Sequence, residues 1–173
     1  MGRLGDLFLY LRSTVVKSKS VYRFGWVIEG QLAGSGRLMS PLQLAWATSH
    51  GIKSVVTIRE FPLDASWFSS RNDIKYRHIK VKDHSAPPME DLGEIATYIE
   101  NEIKQGRPVI VHCNGGSGRT GTVLAAYFMK KNGLTAQQAV RKVKEIRGRT
   151  ASHKKQLDTL EEYEKYLLTV NEK

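Results

Sequence analysis

Residues 109–121 read Val-Ile-Val-His-Cys-Asn-Gly-Gly-Ser-Gly-Arg-Thr-Gly. Residues 108–111 are mostly β-branched and apolar, which predicts a strand buried on both faces. Residues 120–129 are apolar almost all round, which predicts a helix in the core. A glycine-rich turn therefore joins a central strand to a central helix, and it carries Cys113 near its start and Arg119 near its end.

Segments with strand and helix character alternate along the rest of the chain. Strands are predicted at residues 22–28, 54–58 and 74–81, where apolar residues alternate or run together. Helices are predicted to begin at Ser40-Pro41, at Pro88, at a capping box of Thr135 and Gln138, and near Ser152. Alternating elements of this kind are joined by right-handed crossovers. We therefore predict an α/β fold with a mostly parallel central sheet of four to five strands and helices on both sides.

The length and composition favour one compact domain. The chain has 173 residues, 40% of them hydrophobic, and no long apolar run, which suits a single core. Residues 3–17 place five apolar side chains at helical spacing: Leu4, Leu7, Phe8, Leu11 and Val15. We predict an amphipathic helical extension over residues 1–20 and a domain over residues 21–170. The apolar stripe of the extension is expected to pack on the domain, with self-association or weak membrane contact as alternatives.

The charge and the cysteine content of the chain indicate which partners and which location to expect. Twenty-seven Lys and Arg against 17 Asp and Glu give a formal charge of +10, which favours anionic partners without identifying the anion. The single cysteine cannot form an intrachain disulfide, so a reducing, cytoplasmic location is expected. Asp6 and Arg12 interrupt the apolar N-terminal positions, so neither a signal peptide nor a membrane span is expected.

The glycine-rich turn has the composition of an anion-binding loop. A tight loop at a helix N-terminus points successive backbone N–H groups inward, and the helix dipole adds positive potential. The residues expected to bind the anion in this way are Asn114, Gly115, Gly116, Ser117 and Gly118. The same environment favours the nucleophilic thiolate form of Cys113. The planar guanidinium of Arg119 can hold two phosphoryl oxygens at once.

Two other interpretations of this turn fit less well. A buried structural cysteine would not need an arginine six positions later. The run Gly118-Arg119-Thr120 loosely resembles the end of a nucleotide-binding P-loop, but that pattern needs glycine at the position of Cys113 and lysine at the position of Arg119. The spacing of Cys113 and Arg119 therefore favours attack of the thiol on a phosphate ester.

Residues 111–121, Val-His-Cys-Asn-Gly-Gly-Ser-Gly-Arg-Thr-Gly, resemble the signature of the protein-tyrosine and dual-specificity phosphatases. Residues 26–34, Trp-Val-Ile-Glu-Gly-Gln-Leu-Ala-Gly, are similar to the small atypical dual-specificity phosphatases, so that the resemblance covers roughly residues 21–168. It implies a protein-tyrosine phosphatase-like fold, with residues 21–170 as a dual-specificity phosphatase catalytic domain. It also implies hydrolysis of phosphate monoesters through a phosphocysteine intermediate, without a metal or another cofactor.

Asp83 is the candidate general acid for the leaving oxygen. It follows a predicted strand that ends near Val81 and begins a loop closed by two prolines. The carboxyl ends of parallel strands meet at one edge of a sheet, so Asp83 is expected beside the anion-binding loop. The resembling family places its acid there, although many members have proline where Lys82 stands in this chain. Asp91, at the start of the following helix, is the second candidate, and an ordinary solvated carboxylate is the alternative for Asp83.

The resemblance assigns roles to three further residues. The hydroxyl of Thr120 stabilises the thiolate when it leaves, the imidazole of His112 orients the loop and favours the thiolate, and Gln156 helps to position the hydrolytic water. A helix-start residue and a core histidine are the structural alternatives for Thr120 and His112. Glu60, at the end of a predicted strand, either braces the loop by hydrogen bonds or is an exposed carboxylate.

Histidine and basic residues are expected around the same site. His84 and His153 are placed either at the rim of the pocket or in solvated loops. A basic cluster would either add positive potential near the site or form a solvated face; its members are Arg141, Lys142, Lys144, Arg147, Arg149, Lys154 and Lys155.

The expected substrates are proteins or peptides that carry phosphotyrosine, and also phosphoserine or phosphothreonine. A phosphatase for RNA 5′ ends or inositol phospholipids is one alternative, but such enzymes usually carry Lys or Arg inside the loop, where residues 114–117 are uncharged here. A phosphoprotein-binding module without turnover is another alternative, but such relatives typically lose the nucleophile. We expect a monomer with no nucleic-acid partner.

Overall fold

Five strands form one sheet in the computed structural model, which describes residues 20–171. They are β1 (Gly25–Ile28), β2 (Leu32–Ser35), β3 (Ser54–Arg59), β4 (Lys75–Lys80) and β5 (Val109–His112). Their order across the sheet is β1-β2-β5-β3-β4, with β1 antiparallel to β2 and the other neighbours parallel. The predicted mostly parallel sheet is therefore confirmed. The helix predicted over residues 3–17 lies outside the described residues.

Helices cover both faces of the sheet, as predicted. They are α1 (Pro41–Ser49), α2 (Met89–Lys104), α3 (Gly118–Asn132), α4 (Ala136–Arg147) and α5 (Lys154–Asn171), with a short 3-10 turn at Ala65–Trp67. Buried side chains of α1 pack with Val55 and Ile110 on one face. Those of α2 to α5 pack with Val56 and Val111 on the other. Within residues 20–171, none of the helices is both long and apolar enough to cross a membrane.

The hairpin at the edge of the sheet differs from the sequence prediction. A strand is predicted over residues 22–28, but β1 begins only at Gly25 because the chain turns at Arg23, whose φ is 56°. Strand β2 is not predicted, since its residues Leu-Ala-Gly-Ser show neither alternation nor β-branched side chains. All four are nevertheless buried, because β2 lies inside the sheet between β1 and β5.

The register places the carboxyl ends of four parallel strands at one edge of the sheet. Ser35 of β2 and Thr57 of β3 pair with His112 of β5, and Arg59 of β3 pairs with Lys80 of β4. The segments that follow these strands therefore meet at this edge. In open α/β sheets this is where ligands bind.

The starts of α1 and α4 follow the capping signals in the sequence. The N–H of Gln43 donates to Ser40 Oγ at 3.3 Å at the start of α1. At the start of α4, the N–H of Gln138 donates to Thr135 Oγ1 at 3.2 Å, and the N–H of Thr135 donates to Gln138 Oε1 at 3.0 Å. These contacts satisfy backbone donors that a helix end leaves without intrahelical partners. Both predicted helix starts are confirmed.

The first turn of α3 packs tightly against the segment before α5 at Gly121. A Cβ atom at this position would lie 2.5 Å from the backbone nitrogen of Ala151 and 2.7 Å from the carbonyl carbon of Thr150. Such distances leave room only for hydrogen. The contact fixes the N-terminus of α3 and therefore the end of the glycine-rich turn that precedes it.

Gly121→Ala should lower the free energy of unfolding by about 1–3 kcal/mol, because the added methyl overpacks against backbone that cannot rotate away. Gly93→Ala is the matched control in α2, where the new Cβ would meet Tyr163 at an ordinary 3.5 Å. This control should match the wild type or gain up to about 1 kcal/mol from helix propensity. Denaturant unfolding of the three proteins measures both effects, and equal stabilities would contradict the close approach at Gly121.

Candidate active site

Residues 113–119 comprise the turn after β5 and the first two residues of α3, and they close around the thiol of Cys113; we call this segment the cysteine loop. The N–H of Gly116 donates to Cys113 Sγ at 3.3 Å, and the cysteine is only 3% exposed. Gly116 has a φ of 73°, and a Cβ atom there would lie 2.5 Å from the backbone nitrogen of Gly36. Only glycine therefore allows the loop to close as tightly as it does.

The N-terminus of α3 completes the cysteine loop. The helix begins at Gly118, so the N–H groups of its first turn and the positive end of its dipole lie beside the loop. Thr120 lies in this first turn and is fully buried. Its hydroxyl donates a long hydrogen bond of 3.5 Å to the carbonyl of Ser35 at the end of β2. The N-terminus of α3 thus favours binding of an anion inside the loop.

The guanidinium of Arg119 is held by three acceptors from the ends of β3 and β4. Its Nη1 donates to Glu60 Oε2 at 3.0 Å and to the carbonyl of Val81 at 2.9 Å, and its Nη2 donates to Asp83 Oδ1 at 2.6 Å. Arg119 is only 2% exposed, so these acceptors compensate a charge that is almost fully removed from water. The arginine that was predicted to bind phosphate is therefore paired with two carboxylates.

Asp83 lies beside the cysteine loop, where the sequence predicts the general acid. Its side chain is half-exposed, and its backbone N–H donates to Glu60 Oε1 at 2.5 Å. Glu60 therefore braces both Asp83 and Arg119 and is not a free strand-end carboxylate. Hydrogen bonds from its own backbone N–H and from Arg119 lower the pKa of Glu60. Asp91, the second candidate acid, lies in the first turn of α2.

His112 supports the loop as a neutral imidazole. It is fully buried, its Nε2 lies 2.7 Å from Thr57 Oγ1, and its Nδ1 lies 3.4 Å from the carbonyl oxygen of Cys113. Burial lowers the pKa of His112 to about 3. At neutral pH the ring therefore makes these hydrogen bonds in its neutral form, so it contributes no positive charge to the thiol, contrary to the expectation that its charge favours the thiolate.

Gln156 joins three parts of the site. It is 1% exposed, and it packs so closely on Gly118 that a Cβ atom there would lie 2.7 Å from Gln156 Nε2. Its Nε2 also donates to the carbonyl of Ser85, in the loop that carries Asp83. In the same region the exposed rings of His84 and His153 meet, with Nδ1 and Nε2 2.8 Å apart. This pair connects the Asp83 loop with the start of α5.

Asn114 is anchored by Arg59, a residue for which the sequence pattern predicts no role in the site. The Nε of Arg59 donates to Asn114 Oδ1 at 2.6 Å, and Arg59 is only 5% exposed. Burial, and then the nearby charge of Arg37, lower the pKa of Arg59. The available signal for Arg59 was its position at the end of β3, directly before Glu60.

The basic cluster of residues 141–155 divides in the structure. Arg147 reaches the cysteine loop and donates from Nη1 to the carbonyl of Gly116 at 2.9 Å. Lys142 lies over an aromatic ring of α3, and Lys154 pairs with an acidic residue of its own helix. Three further members are exposed: Arg141, Lys144 and Lys155. Arg147 therefore lies at the site, as one interpretation of the cluster predicts. Arg141, Lys144 and Lys155 are instead part of a solvated face, as the other predicts.

The assembled groups are those that phosphoryl transfer through a cysteine requires. A buried thiol receives a backbone N–H at a helix N-terminus, an arginine closes the same loop, and a half-exposed carboxyl group lies next to that arginine. Helix N-termini and glycine-rich loops bind phosphate through such N–H groups. Fold and site together define the class of phosphatases that bind phosphate in a cysteine-containing loop.

Comparisons with known proteins agree with this class. The family described as "Dual specificity phosphatase, catalytic domain" matches residues 39–166. Tyrosine-protein phosphatase CDC14 of Candida albicans is 29% identical over 119 residues, which are 68% of this chain and 22% of the relative. Phosphatidylglycerophosphate phosphatase PTPMT2 of Arabidopsis thaliana is 28% identical over 116 residues, 65% of this chain and 51% of the relative. The chain thus spans about a fifth to a half of the length of these two curated relatives.

Solved structures support the same assignment. The active form of Tk-PTP superposes with a TM-score of 0.74 and 29% sequence identity, covering 83% of this chain and 97% of that one. Human DUSP28 shares the fold, with a TM-score of 0.69 at 20% identity, covering 84% of this chain and 95% of that one. The chain belongs to the dual specificity phosphatase family, because the family match covers more than half of the chain.

His112→Asn should make the protein less sensitive to acid. An unfolded histidine binds a proton below its ordinary pKa of about 6.5, whereas folded His112 stays neutral down to a pKa of about 3. Between these two pKa values the unfolded state binds a proton that the folded state does not. The free energy of unfolding of the wild type therefore falls with falling pH by up to about 1.4 kcal/mol per pH unit more than that of a variant without His112. Denaturant unfolding at pH 7, 6 and 5 should show that the free energy of unfolding falls more steeply for the wild type than for the variant. Parallel pH profiles of the two proteins would contradict a buried neutral ring.

Proposed function

We propose that this chain hydrolyses phosphate monoesters of phosphotyrosine, and also of phosphoserine or phosphothreonine, in proteins through a phosphocysteine intermediate. The observation that carries the proposal is the 3.3 Å contact between the Gly116 N–H and Cys113 Sγ, in a loop that ends with Arg119. Membership of the dual specificity phosphatase family supports the reaction class. The resemblance of residues 111–121 to the signature of the protein-tyrosine and dual-specificity phosphatases supports the phosphocysteine route.

In the first step, the Cys113 thiolate attacks phosphorus. The S–P bond forms while the bond to the leaving oxygen breaks, and that oxygen takes its proton from Asp83. Charge in this transition state lies on the three equatorial oxygens. The N–H groups of the cysteine loop and the guanidinium of Arg119 are placed to stabilise it. A neutral His112 keeps the loop in position during this step.

Asp83 must leave Arg119 before it can act as the acid. Its Oδ1 lies 2.6 Å from Arg119 Nη2, a donor that an entering phosphate dianion would also use. Because the side chain of Asp83 is half-exposed, it has space to turn toward the leaving oxygen. Glu60 and the carbonyl of Val81 retain Nη1 of Arg119, so the guanidinium stays in place during the exchange.

In the second step, water cleaves the phosphocysteine. Asp83, now a carboxylate, takes a proton from the water as the P–O bond forms and the S–P bond breaks. Gln156 packs on Gly118 of the cysteine loop and is proposed to position this water. Thr120, in the first turn of α3, is proposed to stabilise the departing thiolate. Phosphate and free Cys113 result, and no cofactor takes part.

The proposed substrates are phosphoproteins, and the proposed setting is the cytoplasm, with the protein acting as a monomer. The uncharged side chains at residues 114–117 suit a single phosphate monoester better than a polyphosphate. A reducing compartment keeps the free thiol of Cys113 available.

A phosphatase for inositol phospholipids or RNA 5′ ends remains the second candidate. Two observations favour it: one relative is a phosphatidylglycerophosphate phosphatase, and the chain carries a formal charge of +10. Against it, two of the basic residues that touch the cysteine loop, Arg59 and Arg147, already donate hydrogen bonds to the protein. A phosphoinositide cleaved with a higher kcat/KM than a phosphotyrosine peptide would favour this candidate.

The test of the proposed reaction is hydrolysis of an aryl phosphate without added metal. Cys113→Ser should abolish turnover. Asp83→Asn should lower kcat about 10²–10⁴-fold and remove the fall of activity on the alkaline side of the pH profile, because the acid is lost. Asp91→Asn is the matched control on α2 and should stay near the wild type. If Asp91→Asn is the damaging change, the acid is assigned wrongly; if the wild type is inactive, the chain is a non-catalytic phosphoprotein-binding module or acts on a specialised substrate.

A further inference from the structure

Three successive carbonyl groups of the cysteine loop accept hydrogen bonds from donors outside the loop. Two of the donors are arginine side chains and one is a backbone N–H. The pairs are Gly115 with Arg23 Nη1 at 2.8 Å, Gly116 with Arg147 Nη1 at 2.9 Å, and Asn114 with the N–H of Arg37 at 3.0 Å. The outer side of the loop is therefore held by groups from three other parts of the chain.

Arg23 holds the peptide unit that serves the thiol. In a trans peptide the carbonyl and the following N–H point in opposite directions. The carbonyl of Gly115 accepts from Arg23, and the N–H of the same peptide, which belongs to Gly116, donates to Cys113 Sγ at 3.3 Å. Fixing the carbonyl outward thus directs the N–H inward to the sulfur.

Arg147 holds the next peptide unit in the same way. Its Nη1 binds the carbonyl of Gly116, so the N–H of Ser117 in that peptide is directed to the opposite side. Its Nη2 donates to the backbone carbonyl of Arg23 at 3.3 Å. Arg147 therefore supports the loop directly and also supports the turn that carries Arg23, whose φ of 56° is unusual for a residue with a side chain.

The rest of the fold provides a space for the Arg147 guanidinium. A Cβ atom on Gly34 of β2 would lie 2.8 Å from Arg147 Cζ, so glycine at this position leaves room for the arginine. Burial lowers the pKa of Arg147 to about 10, with the charges of Arg149 and Arg23 acting in the same direction. The group nevertheless stays protonated at neutral pH, and both of its Nη atoms donate.

We propose that Arg23 and Arg147 form an outer clasp, two positioning residues that hold the peptide planes of the cysteine loop in the orientation that binds phosphate and stabilises the Cys113 thiolate. This inference rests on the proposed function, since the orientation matters only if Cys113 is the nucleophile. The clasp needs no contact with the substrate. It acts through the two carbonyls that it binds.

The loop needs such a clasp because its peptides join glycines. The units around Gly115 and Gly116 have little steric barrier to rotation. A rotated peptide would point a carbonyl oxygen into the loop, where it would repel phosphate and thiolate, and it would withdraw an N–H. Loss of one N–H that stabilises a transition-state oxyanion costs about 10²–10³-fold in kcat. Loss of an outer support should cost less, because the peptide then rotates only part of the time.

The experiment combines kinetics with alkylation of Cys113 by iodoacetamide across pH. Arg147→Met should lower kcat/KM for an aryl phosphate about tenfold to a hundredfold, mainly through kcat, and should raise the pH midpoint of alkylation. Arg147→Lys keeps the charge but replaces the two Nη donors, each of which binds its own carbonyl, by a single nitrogen, so it should fall between Arg147→Met and the wild type. Arg141→Met removes an exposed charge from the same helix and should match the wild type in both measurements.

Arg23→Met serves as a second variant because Arg23 is exposed and its loss does not open the core. Like Arg147→Met, this variant should lower kcat/KM for the aryl phosphate and raise the pH midpoint of Cys113 alkylation. The double variant should lose less than the product of the two single losses, because Arg147 also supports the backbone of Arg23. Wild-type kcat and an unchanged alkylation midpoint in Arg23→Met and Arg147→Met would overturn the clasp. Activity that survives in Cys113→Ser would instead overturn the proposed function, so the two failures are distinguishable.

Discussion

The direction of the Gly116 N–H toward Cys113 Sγ sets the conformation of the whole cysteine loop. Each inward N–H sends the carbonyl of its peptide outward, and a buried carbonyl needs a donor. In this fold the donors come from the turn before β1, the segment after β2 and the last turn of α4. The sheet order matters for this reason, because it places β2 directly beside β5, which leads into the cysteine loop. The loop is therefore held in shape by three separate parts of the domain.

The buried charge of Arg119 imposes the second condition. A guanidinium that is 2% exposed needs anionic or polar partners, and Glu60, Asp83 and the carbonyl of Val81 supply them. Glu60 is braced by its own hydrogen bonds, whereas Asp83 is half-exposed and therefore the easier partner to displace. Competition between phosphate and Asp83 for Arg119 would couple substrate binding to release of the general acid.

The parts of the fold that local signals specify could be predicted from the sequence. The cysteine loop follows from residue spacing, and the caps at Ser40 and Thr135 follow from short-range hydrogen bonding. The contributions that depend on long-range packing could not be predicted. Arg23 is 92 residues from its partner Gly115, so no local pattern records the contact. Likewise, burial makes His112 neutral, and the short strand β2 is recognisable only from its buried place in the sheet.

A pair of crystal structures, one without an oxyanion and one with tungstate, would show whether the cysteine loop binds a phosphate-like anion and displaces Asp83. We expect tungstate inside the cysteine loop, bound by its backbone N–H groups and by Arg119. Asp83 Oδ1 should then lie beyond hydrogen-bonding distance of Arg119 Nη2, compared with 2.6 Å before, while the 3.0 Å contact between Glu60 and Arg119 remains. Tungstate bound elsewhere would rule out the cysteine loop as the phosphate site, and tungstate bound in the loop with the Asp83–Arg119 pair intact would rule out the proposed exchange.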